Sequence, residues 1–326
     1  MSDRTTAASL PTADDIRNAA ARIAAHAVVT PVMRNAALDA LAGTELHFKC
    51  EHLQRSGAFK FRGACNAVWS LDDNEAARGV VTHSSGNHGN ALAVAPATRG
   101  IPAHVVVPEG AVQAKVDAIA AAGATLHRCA PTQAAREAAC AQVQADTGAT
   151  LVHPYTDPRV MAGQGTAALE LLQQAGALDA LITPVGGGGL ASGCAVIAHD
   201  LHPGLPLFAA EPEGADDTAQ SLARGERVTD IVPDTLCDGL RATIGEPNIV
   251  ALQTHDVEVL TISDTEVIAA MKLLWQHLKQ TVEPSSATVL AALLRYRERF
   301  AGKRVGVVLT GGNVDLDALP WLAPTA

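Results

Sequence analysis

The sequence predicts an α/β protein in which mostly parallel sheets are covered by helices. Short apolar runs alternate with longer amphipathic segments along nearly all of the 326 residues, and glycine-rich turns join them. The runs at 105–107 and 305–309 lack the polar alternation of a half-exposed strand, which is typical of parallel strands buried on both faces. A hydrophobic fraction of 48% suits a well-filled core.

The first predicted element is a helix from residue 13 to about residue 26. Thr12 is a good capping residue, and Asp14 and Asp15 follow in the first turn, where the helix dipole favours acids. The apolar runs predict strands at 46–49, 79–83, 103–107, 125–129, 180–185, 206–210, 257–261 and 304–309. The segments between them predict helices at 58–71, in a stretch ending near 98, and at 112–122, 132–145, 163–175, 189–199, 264–279 and 285–299.

The order of these elements predicts two domains. Residues 76–150 form a compact βαβαβα pattern with short connections, so we expect a small domain there. It is inserted in a large domain made of 1–75 and 151–326. A cleft between two domains is a usual place for a cofactor.

Composition excludes several classes of function. A formal net charge of −10 argues against nucleic acid and against an anionic membrane surface, because both require clustered Lys and Arg. No run approaches ~18 consecutive apolar residues, and residues 1–11 lack the apolar stretch of a signal peptide, so we expect no membrane segment and a cytoplasmic location. The six cysteines stand singly, without CxxC or zinc-ligand spacing, which indicates reduced thiols.

The first chemical signal is Lys60, which stands between Phe59 and Phe61. Burial disfavours the ammonium form of a lysine and lowers its pKa, and the neutral amine is the form that condenses with an aldehyde. The alternative is a lysine whose amine extends past two core phenylalanines to solvent.

A second signal is the run Gly186 to Gly189, which follows a strand and opens a helix. Backbone N–H groups of such a loop converge on an anion, and the helix dipole adds to the attraction. The run is not GxGxxG and no Walker lysine follows, which favours a small phosphate monoester over a dinucleotide. The alternative is a tight turn without a ligand.

A third signal is the segment His83 to Asn90, again between a strand and a helix. Its main-chain amides suit a carboxylate, Ser85 can exchange a proton, and Asn87 can hydrogen-bond a phenolic oxygen. An ordinary cap of the following helix remains the alternative.

Two further segments follow strands. Glu211 and Asp217, with a backbone carbonyl between them, are hard oxygen ligands suited to Mg²⁺ or Ca²⁺, and a solvated acidic loop is the alternative. Thr310 ends the last strand, where its hydroxyl would face the cleft, and a strand-ending turn without a ligand is the alternative.

Taken together, these segments resemble the fold-type II enzymes that use pyridoxal 5′-phosphate (PLP), and most closely the serine racemases and short serine/threonine dehydratases. The matching pieces occur in family order and include SGAFKFRGA, HSSGNHGN, PVGGGGLASG, EPEGADD, VEPSSA and TGGNVDL. The resemblance implies the tryptophan synthase β-like fold, with two open, twisted, mostly parallel sheets and flanking helices.

The resemblance also implies roles for residues. Lys60 would form the Schiff base with PLP and take the Cα proton on one face of the substrate, and Ser85 would serve the other face. Other PLP contacts are expected from Phe59, Asn87, Gly186, Gly187, Gly188, Gly189, Leu190, Glu283 and Thr310. Substrate contacts are expected from Ser84, Ser85, Gly86, His88 and Arg136. A divalent cation (Mg²⁺, or Ca²⁺ or Mn²⁺) is expected at Glu211, the carbonyl of Ala215 and Asp217.

The sequence departs from the family at two pocket positions. Tyr155 stands where eukaryotic serine racemases have asparagine and many dehydratases have phenylalanine. Ala242 lacks the hydroxyl that those racemases carry there. Both changes favour a dehydratase.

The expected activity is therefore a PLP-dependent dehydratase (ammonia-lyase) that converts L-serine and/or L-threonine to a 2-oxo acid and ammonia, with serine racemase activity left open. One alternative is a 3-hydroxyaspartate dehydratase, in which Arg136 or Arg241 would bind the second carboxylate. An alternative of another class is a non-catalytic protein that binds a phosphate ligand at the glycine run. The partner is a small β-hydroxy amino acid, and by resemblance the chain forms a homodimer.

Overall fold

A computed structural model describes residues 10–111 and 113–322 of the chain. The helices are α1 Ala13–Ile23, α2 Ala36–Ala42, α3 Lys60–Trp69, α4 Asp73–Arg78, α5 Asn87–Arg99, α6 Gln113–Ala121, α7 Gln133–Thr147, α8 Pro158–Ala175, α9 Gly189–Leu201, α10 Asp217–Arg224, α11 Glu246–Thr254, α12 Asp264–Leu273, α13 Pro284–Arg295 and α14 Arg297–Phe300. The strands are β1 Val32–Met33, β2 Glu45–Cys50, β3 Val80–Thr82, β4 Ala103–Pro108, β5 Thr125–Cys129, β6 Thr150–Leu151, β7 Ala180–Pro184, β8 Leu207–Pro212, β9 Glu258–Ile262 and β10 Arg304–Leu309.

The strands form two sheets. The larger has the order β1-β2-β10-β7-β8-β9 and is parallel apart from β1, which pairs antiparallel with β2. The smaller has the order β5-β4-β3-β6 and is parallel throughout. Apolar layers pack on both faces of the larger sheet. The predicted α/β class with two mostly parallel sheets is confirmed.

The small sheet is built from the segment 80–151, with α5, α6 and α7 between its strands. That segment overlaps the predicted insertion at 76–150, and the exact domain division stays a prediction. Residues 1–9 of the segment we interpreted as lacking a signal peptide, and residue 112 of a predicted helix, lie outside the described residues. No helix of the described part of the chain is long and apolar enough to cross a membrane.

Most predicted elements are present, with boundaries set by local chemistry. Thr12 and Asp15 form a reciprocal capping box at the start of α1. Helix α3 begins at Lys60, two residues later than predicted, because Ala58 is extended and pairs with Gly311. Helix α8 begins five residues earlier than predicted, at Pro158, because Asp157 caps it and proline suits the first helical position. The short elements β1, α2, α4, β6, α10 and α11 were not predicted.

Helices α3, α8 and α9 pack at glycine contacts. A Cβ at Gly163 of α8 would lie 2.6 Å from the carbonyl oxygen of Arg62 and from Gly63 Cα, both in α3. On the other side of α8, a Cβ at Gly165 would lie 2.7 Å from the carbonyl oxygen of Gly193 in α9. The three helix backbones can approach this closely only because these positions lack side chains.

A buried charge cluster joins α3 to α8. The Arg62 guanidinium donates to both carboxylate oxygens of Glu51 and of Glu170 at 2.7–2.8 Å. Lys49 also donates to Glu170 and to the carbonyl oxygen of Thr30. Arg62, Glu51 and Lys49 are fully buried, so each charge needs the opposite charges beside it.

We predict that Gly163→Ala lowers the free energy of unfolding by about 1–3 kcal/mol, because the new methyl group must push α3 away from α8. Denaturant unfolding measures the change. The control is Gly100→Asn, at a helix end with φ +71° and no heavy atom within 4 Å of its Cβ position, where asparagine is tolerated and the effect should stay below about 0.5 kcal/mol. Equal stability of the Gly163→Ala variant and the wild type would contradict the packing argument.

Candidate active site

The chemical segments meet at the carboxyl ends of the parallel strands. The glycine run follows β7, Thr310 follows β10, and His83 follows β3. Glu211 lies near the end of β8. The strand ends of a parallel sheet are where open α/β proteins bind ligands, because the connecting loops converge there.

Lys60 is the first residue of α3 and lies beside the end of β10. The backbone N–H of Phe59 donates to the carbonyl oxygen of Thr310 at 2.9 Å. The Lys60 side chain is partly buried, and its Nζ donates to the carbonyl oxygen of Pro154 at 2.9 Å. Burial lowers the pKa of Lys60 to about 8, with Glu283 opposing the shift.

Lys49, by contrast, is unsuited to covalent chemistry. It is fully buried, and Glu170, Gln174 and the carbonyl oxygen of Thr30 accept hydrogen bonds from its ammonium. Lys60 therefore has a more reactive environment than Lys49.

The glycine run has the geometry of an anion site. Gly188 has φ +90°, and no side chain caps the first turn of α9, so the N–H groups there face outward from the helix start. A Cβ at Gly187 would lie 2.4 Å from the ring of Tyr155, and a Cβ at Gly186 would lie 2.9 Å from Leu240 Cα. Leu190 is buried in the first turn of α9. The loop can hold a small phosphate.

Asn87 and Glu283 meet across the cleft. The Asn87 side-chain amide donates to both carboxylate oxygens of Glu283 at 2.8 and 2.9 Å, and the Asn313 side chain donates to Asn87 Oδ1 at 2.8 Å. Burial raises the pKa of Glu283 to about 7. A Cβ at Gly311 would lie 2.5 Å from the same carboxylate, so glycine is required beside it.

Thr310 lies next to this group and is buried. Its backbone N–H donates to the Ser286 hydroxyl at 2.9 Å. Of the predicted PLP contacts, the structure brings together Phe59, Asn87, Glu283 and Thr310. Gly186 to Leu190 form a second group at the start of α9.

The predicted substrate segment forms a tight turn before α5. The Ser84 hydroxyl accepts from the N–H of Gly86 at 3.4 Å, and Ser85 is partly exposed. A Cβ at Gly89 would lie 1.8 Å from the carbonyl oxygen of Ser84, so the turn closes directly onto the helix. His88 is buried, its Nε2 lies 3.2 Å from the carbonyl oxygen of Val152, and its pKa is well below the usual range because of burial.

His83, the first residue of this segment, and His153 were given no role from the sequence, and their rings lie together here. The ring of His153 lies 5.4 Å from that of His83 and 4.6 Å from that of Tyr155, edge to face in both cases. The Thr156 hydroxyl lies 2.7 Å from His153 Nδ1. Burial lowers the pKa of His153 to about 4, and it also lowers the pKa of His83, so both rings are neutral at pH 7. The His-Pro-Tyr run before α8 was the available signal.

The two arginines considered for a second carboxylate differ in availability. Arg136, in the first turns of α7, has a buried Nε without a hydrogen-bond partner among the described residues, and its charge acts on His83. Arg241 is exposed and donates to the carbonyl oxygen of Thr235 at 2.6 and 3.1 Å. Arg136 is therefore the better anion partner.

The expected cation ligands are close together but are bound to the protein backbone. Glu211 and Asp217 are buried, unlike the side chains of a solvated loop, whereas Glu213 between them is exposed. Glu211 accepts from the N–H groups of Thr218 and Ala219 at 3.0 and 2.9 Å, and Asp217 accepts from that of Ile244 at 2.7 Å. Burial raises the pKa of Glu211 to about 8 and that of Asp217 to about 6, and the Asp217 charge adds to the shift of Glu211.

Two buried carboxylates that repel each other form a donor set that a divalent cation would stabilise. Ala215, whose carbonyl is the third expected ligand, is buried in the turn between them. Within residues 10–111 and 113–322 there is no group of three or more His, Cys, Asp or Glu side chains that could hold a metal ion.

Comparisons with known proteins agree with this geometry. A family model described as "Pyridoxal-phosphate dependent enzyme" matches residues 23–311. The chain is 49% identical over 312 residues to the beta-hydroxyaspartate dehydratase of Paracoccus denitrificans, covering 96% of this chain and 99% of that protein. It is 47% identical over 312 residues to the serine racemase of Dictyostelium discoideum, covering 94% and 96%. The structure of maize serine racemase superposes with a TM-score of 0.93 at 43% identity, covering 96% of both chains.

We predict that Lys60 of the cofactor-free protein reacts with a small aldehyde at a pH where ordinary lysines are unreactive. A protonated amine does not attack, so the rate should rise with pH and level off above about 8, the pKa of Lys60. In a lysine-containing model peptide the rise should continue toward about pH 10.4. Reductive alkylation followed by mass spectrometry of the Lys60 peptide measures the profile. A Lys60 profile that still rises above pH 9 would contradict the low pKa.

Proposed function

Because the chain belongs to the family of pyridoxal-phosphate dependent enzymes, in the fold-type II group that includes the serine racemases, we propose that it dehydrates a small β-hydroxy amino acid to a 2-oxo acid and ammonia. This membership bears out the resemblance read from the sequence motifs. The observation that carries the proposal is Lys60, a partly buried amine with a low pKa on which the Glu283 charge acts. Its Nζ donates to the carbonyl oxygen of Pro154, the residue before Tyr155, whose ring lies against the glycine run.

The residues present fit PLP. Lys60 would hold its aldehyde, and the uncapped start of α9 with Gly186, Gly187, Gly188, Gly189 and Leu190 would hold its phosphate. Phe59, Asn87, Glu283 and Thr310 would surround its ring. When bound, PLP withdraws electrons from the substrate Cα and so makes the Cα proton acidic.

The proton transfers then belong to the chain itself. With a pKa of about 8, the Lys60 amine is partly neutral at pH 7, so its Nζ can take up the Cα proton on one face of the substrate. The Ser85 hydroxyl would exchange a proton on the opposite face. The buried amides and the turn from Ser84 to His88 would bind the substrate carboxylate, with His88 kept neutral by burial.

We propose 3-hydroxyaspartate as the preferred substrate. Its second carboxylate requires a cation, and Arg136, whose buried Nε has no hydrogen-bond partner within the described part of the chain, offers one beside the neutral His83. The 49% identity to a protein named beta-hydroxyaspartate dehydratase supports the same choice.

Serine and threonine remain the second candidate, in line with the activity expected from the motifs. The relatives and the structure named as serine racemases, at 43–47% identity, favour a substrate with one carboxylate. Return of a proton through Ser85 before loss of the hydroxyl would give racemisation instead of dehydration. The Lys60 environment argues against the non-catalytic phosphate-binding alternative, because a bound anion needs no low-pKa amine.

Three companion features belong to the proposal. Glu211, the Ala215 carbonyl and Asp217 would bind Mg²⁺ (or Ca²⁺ or Mn²⁺). The chain would act as a homodimer in the cytoplasm. The division into 1–75 plus 151–326 and 76–150 would let the small domain close on the substrate.

We predict that Arg136→Met lowers kcat/KM for 3-hydroxyaspartate by about 10- to 100-fold, as for the loss of a charge-assisted hydrogen bond, and changes that for serine by less than about threefold. Release of 2-oxo acid is measured with serine, threonine and both 3-hydroxyaspartate diastereomers. The control is Arg241→Met, which should leave all four values within about twofold.

Equal losses for serine and 3-hydroxyaspartate would place Arg136 on the carboxylate that both substrates share and would contradict the dicarboxylate proposal. No 2-oxo acid from any of the four substrates with the PLP-loaded wild type would overturn the dehydratase assignment itself.

We predict that Mg²⁺ raises the Tm of the wild type and not that of Glu211→Gln. A ligand at about 100 times its Kd adds ~2.7 kcal/mol to the free energy of unfolding, a shift of several degrees. The control is Asp216→Asn, which removes the same charge one residue from Asp217 and should keep the response. An equal Mg²⁺ response of Glu211→Gln would show that the cation binds elsewhere.

A further inference from the structure

Two polar contacts join the small-sheet segment to the large-sheet segment. One is the partly buried contact of Asn87, at the start of α5, with Glu283. The other is the ion pair of Lys115 in α6 with Asp238, which stands 123 residues later in the turn Asp238–Leu240. The Lys115 and Asp238 side chains are 31% and 42% exposed, so this ion pair is reached by solvent and salt.

On the large-sheet side, Asp238 stands on a firmly held turn. The N–H of Gly239 donates to the hydroxyl of Ser285, near the start of α13, at 3.0 Å. Leu240 packs against the glycine run, since a Cβ at Gly186 would lie 2.9 Å from its Cα. Asp238 is therefore fixed relative to the proposed phosphate site.

On the small-sheet side, Lys115 is coupled to the turn proposed to bind the substrate. Ile119 lies one helical turn after Lys115 on the same face of α6. The Ile119 side chain packs on the first turn of α5, where a Cβ at Gly89 would lie 3.2 Å from it. Gly89 in turn contacts the carbonyl of Ser84. A displacement of Lys115 is therefore transmitted to the segment 84–88 through packed side chains and backbone.

We propose that Lys115 and Asp238 are positioning residues, whose ion pair straps the small sheet to the large one and holds the turn 84–88 closed over Lys60. This proposal depends on the proposed function in one respect, namely that the turn 84–88 binds substrate. Because the ion pair is half exposed, it can separate and let substrate enter. Salt screens the attraction between the two charges and so weakens the closed arrangement.

Amide hydrogen–deuterium exchange of the PLP-loaded enzyme without substrate tests the strap directly. Lys115→Met should raise exchange at 84–88 about two- to fivefold, the range for a half-exposed ion pair. High salt should raise the exchange of the wild type to that of the variant and leave the variant unchanged. In steady-state kinetics the same variant should raise KM by a similar factor and alter kcat less than twofold.

The double charge reversal Lys115→Asp with Asp238→Lys separates loss of the ion pair from other effects of the substitutions, because it restores an ion pair of opposite polarity. It should return exchange and KM toward wild type, whereas each single reversal should open the cleft further than Lys115→Met. The control is Lys272→Met, an exposed lysine on α12 that lies over Trp321.

Additive effects of the two reversals, or unchanged exchange at 84–88 in Lys115→Met, would overturn the strap. The exchange measurement needs no substrate, so it stands even if the enzyme were to act on none of the β-hydroxy amino acids tested. Failure of the strap and failure of the proposed function therefore give different results.

Discussion

The close contact of α3, α8 and α9 is the constraint on which the site depends. Helix α3 begins at Lys60 and α9 begins at Gly189, so the spacing of these helices sets the distance between the amine and the glycine run. Glycines remove the side chains that would separate them, as at Gly163 and Gly193. The Arg62 cluster then ties α3 to α8 with buried ion pairs, whose strict geometry fixes the register of the two helices.

Burial away from water sets the protonation states of the titratable groups in the site. Burial favours the neutral forms of Lys60, His88 and His153, so three potential cations lose charge at neutral pH to different extents. The guanidinium of Arg136 acts on His83 in the same region. The site thus combines an amine able to accept a proton with a guanidinium, a combination suited to the carboxylate-bearing amino acid proposed as substrate.

The sequence predicted the parts of the site that are carried by contiguous motifs. Three features can be recognised within a few consecutive residues: Lys60 between two phenylalanines, the glycine run, and the Ser84–His88 turn. The strands before them are strongly apolar. Long-range contacts were not readable in the same way. The His153 ring, for example, contacts the rings of both His83 and Tyr155, and so joins segments about 70 residues apart.

The short elements were missed for a related reason. Helix α11 starts at an uncapped Gly245 with proline in its first turn, which locally predicts a turn. Helix α10 begins directly after the acidic bend, where the carboxylates predicted a loop, and its formation depends on Glu211 accepting two of its N–H groups. For α10, a contact with a residue of the preceding strand decided the case.

The most direct test of the account is the identity of the residue that carries the cofactor. Borohydride reduction of the PLP-loaded enzyme makes the link permanent, and peptide mapping locates it. The account predicts a single pyridoxyl label, on the peptide that contains Lys60. A label on another lysine, or an enzyme that retains no label after reduction, would contradict it.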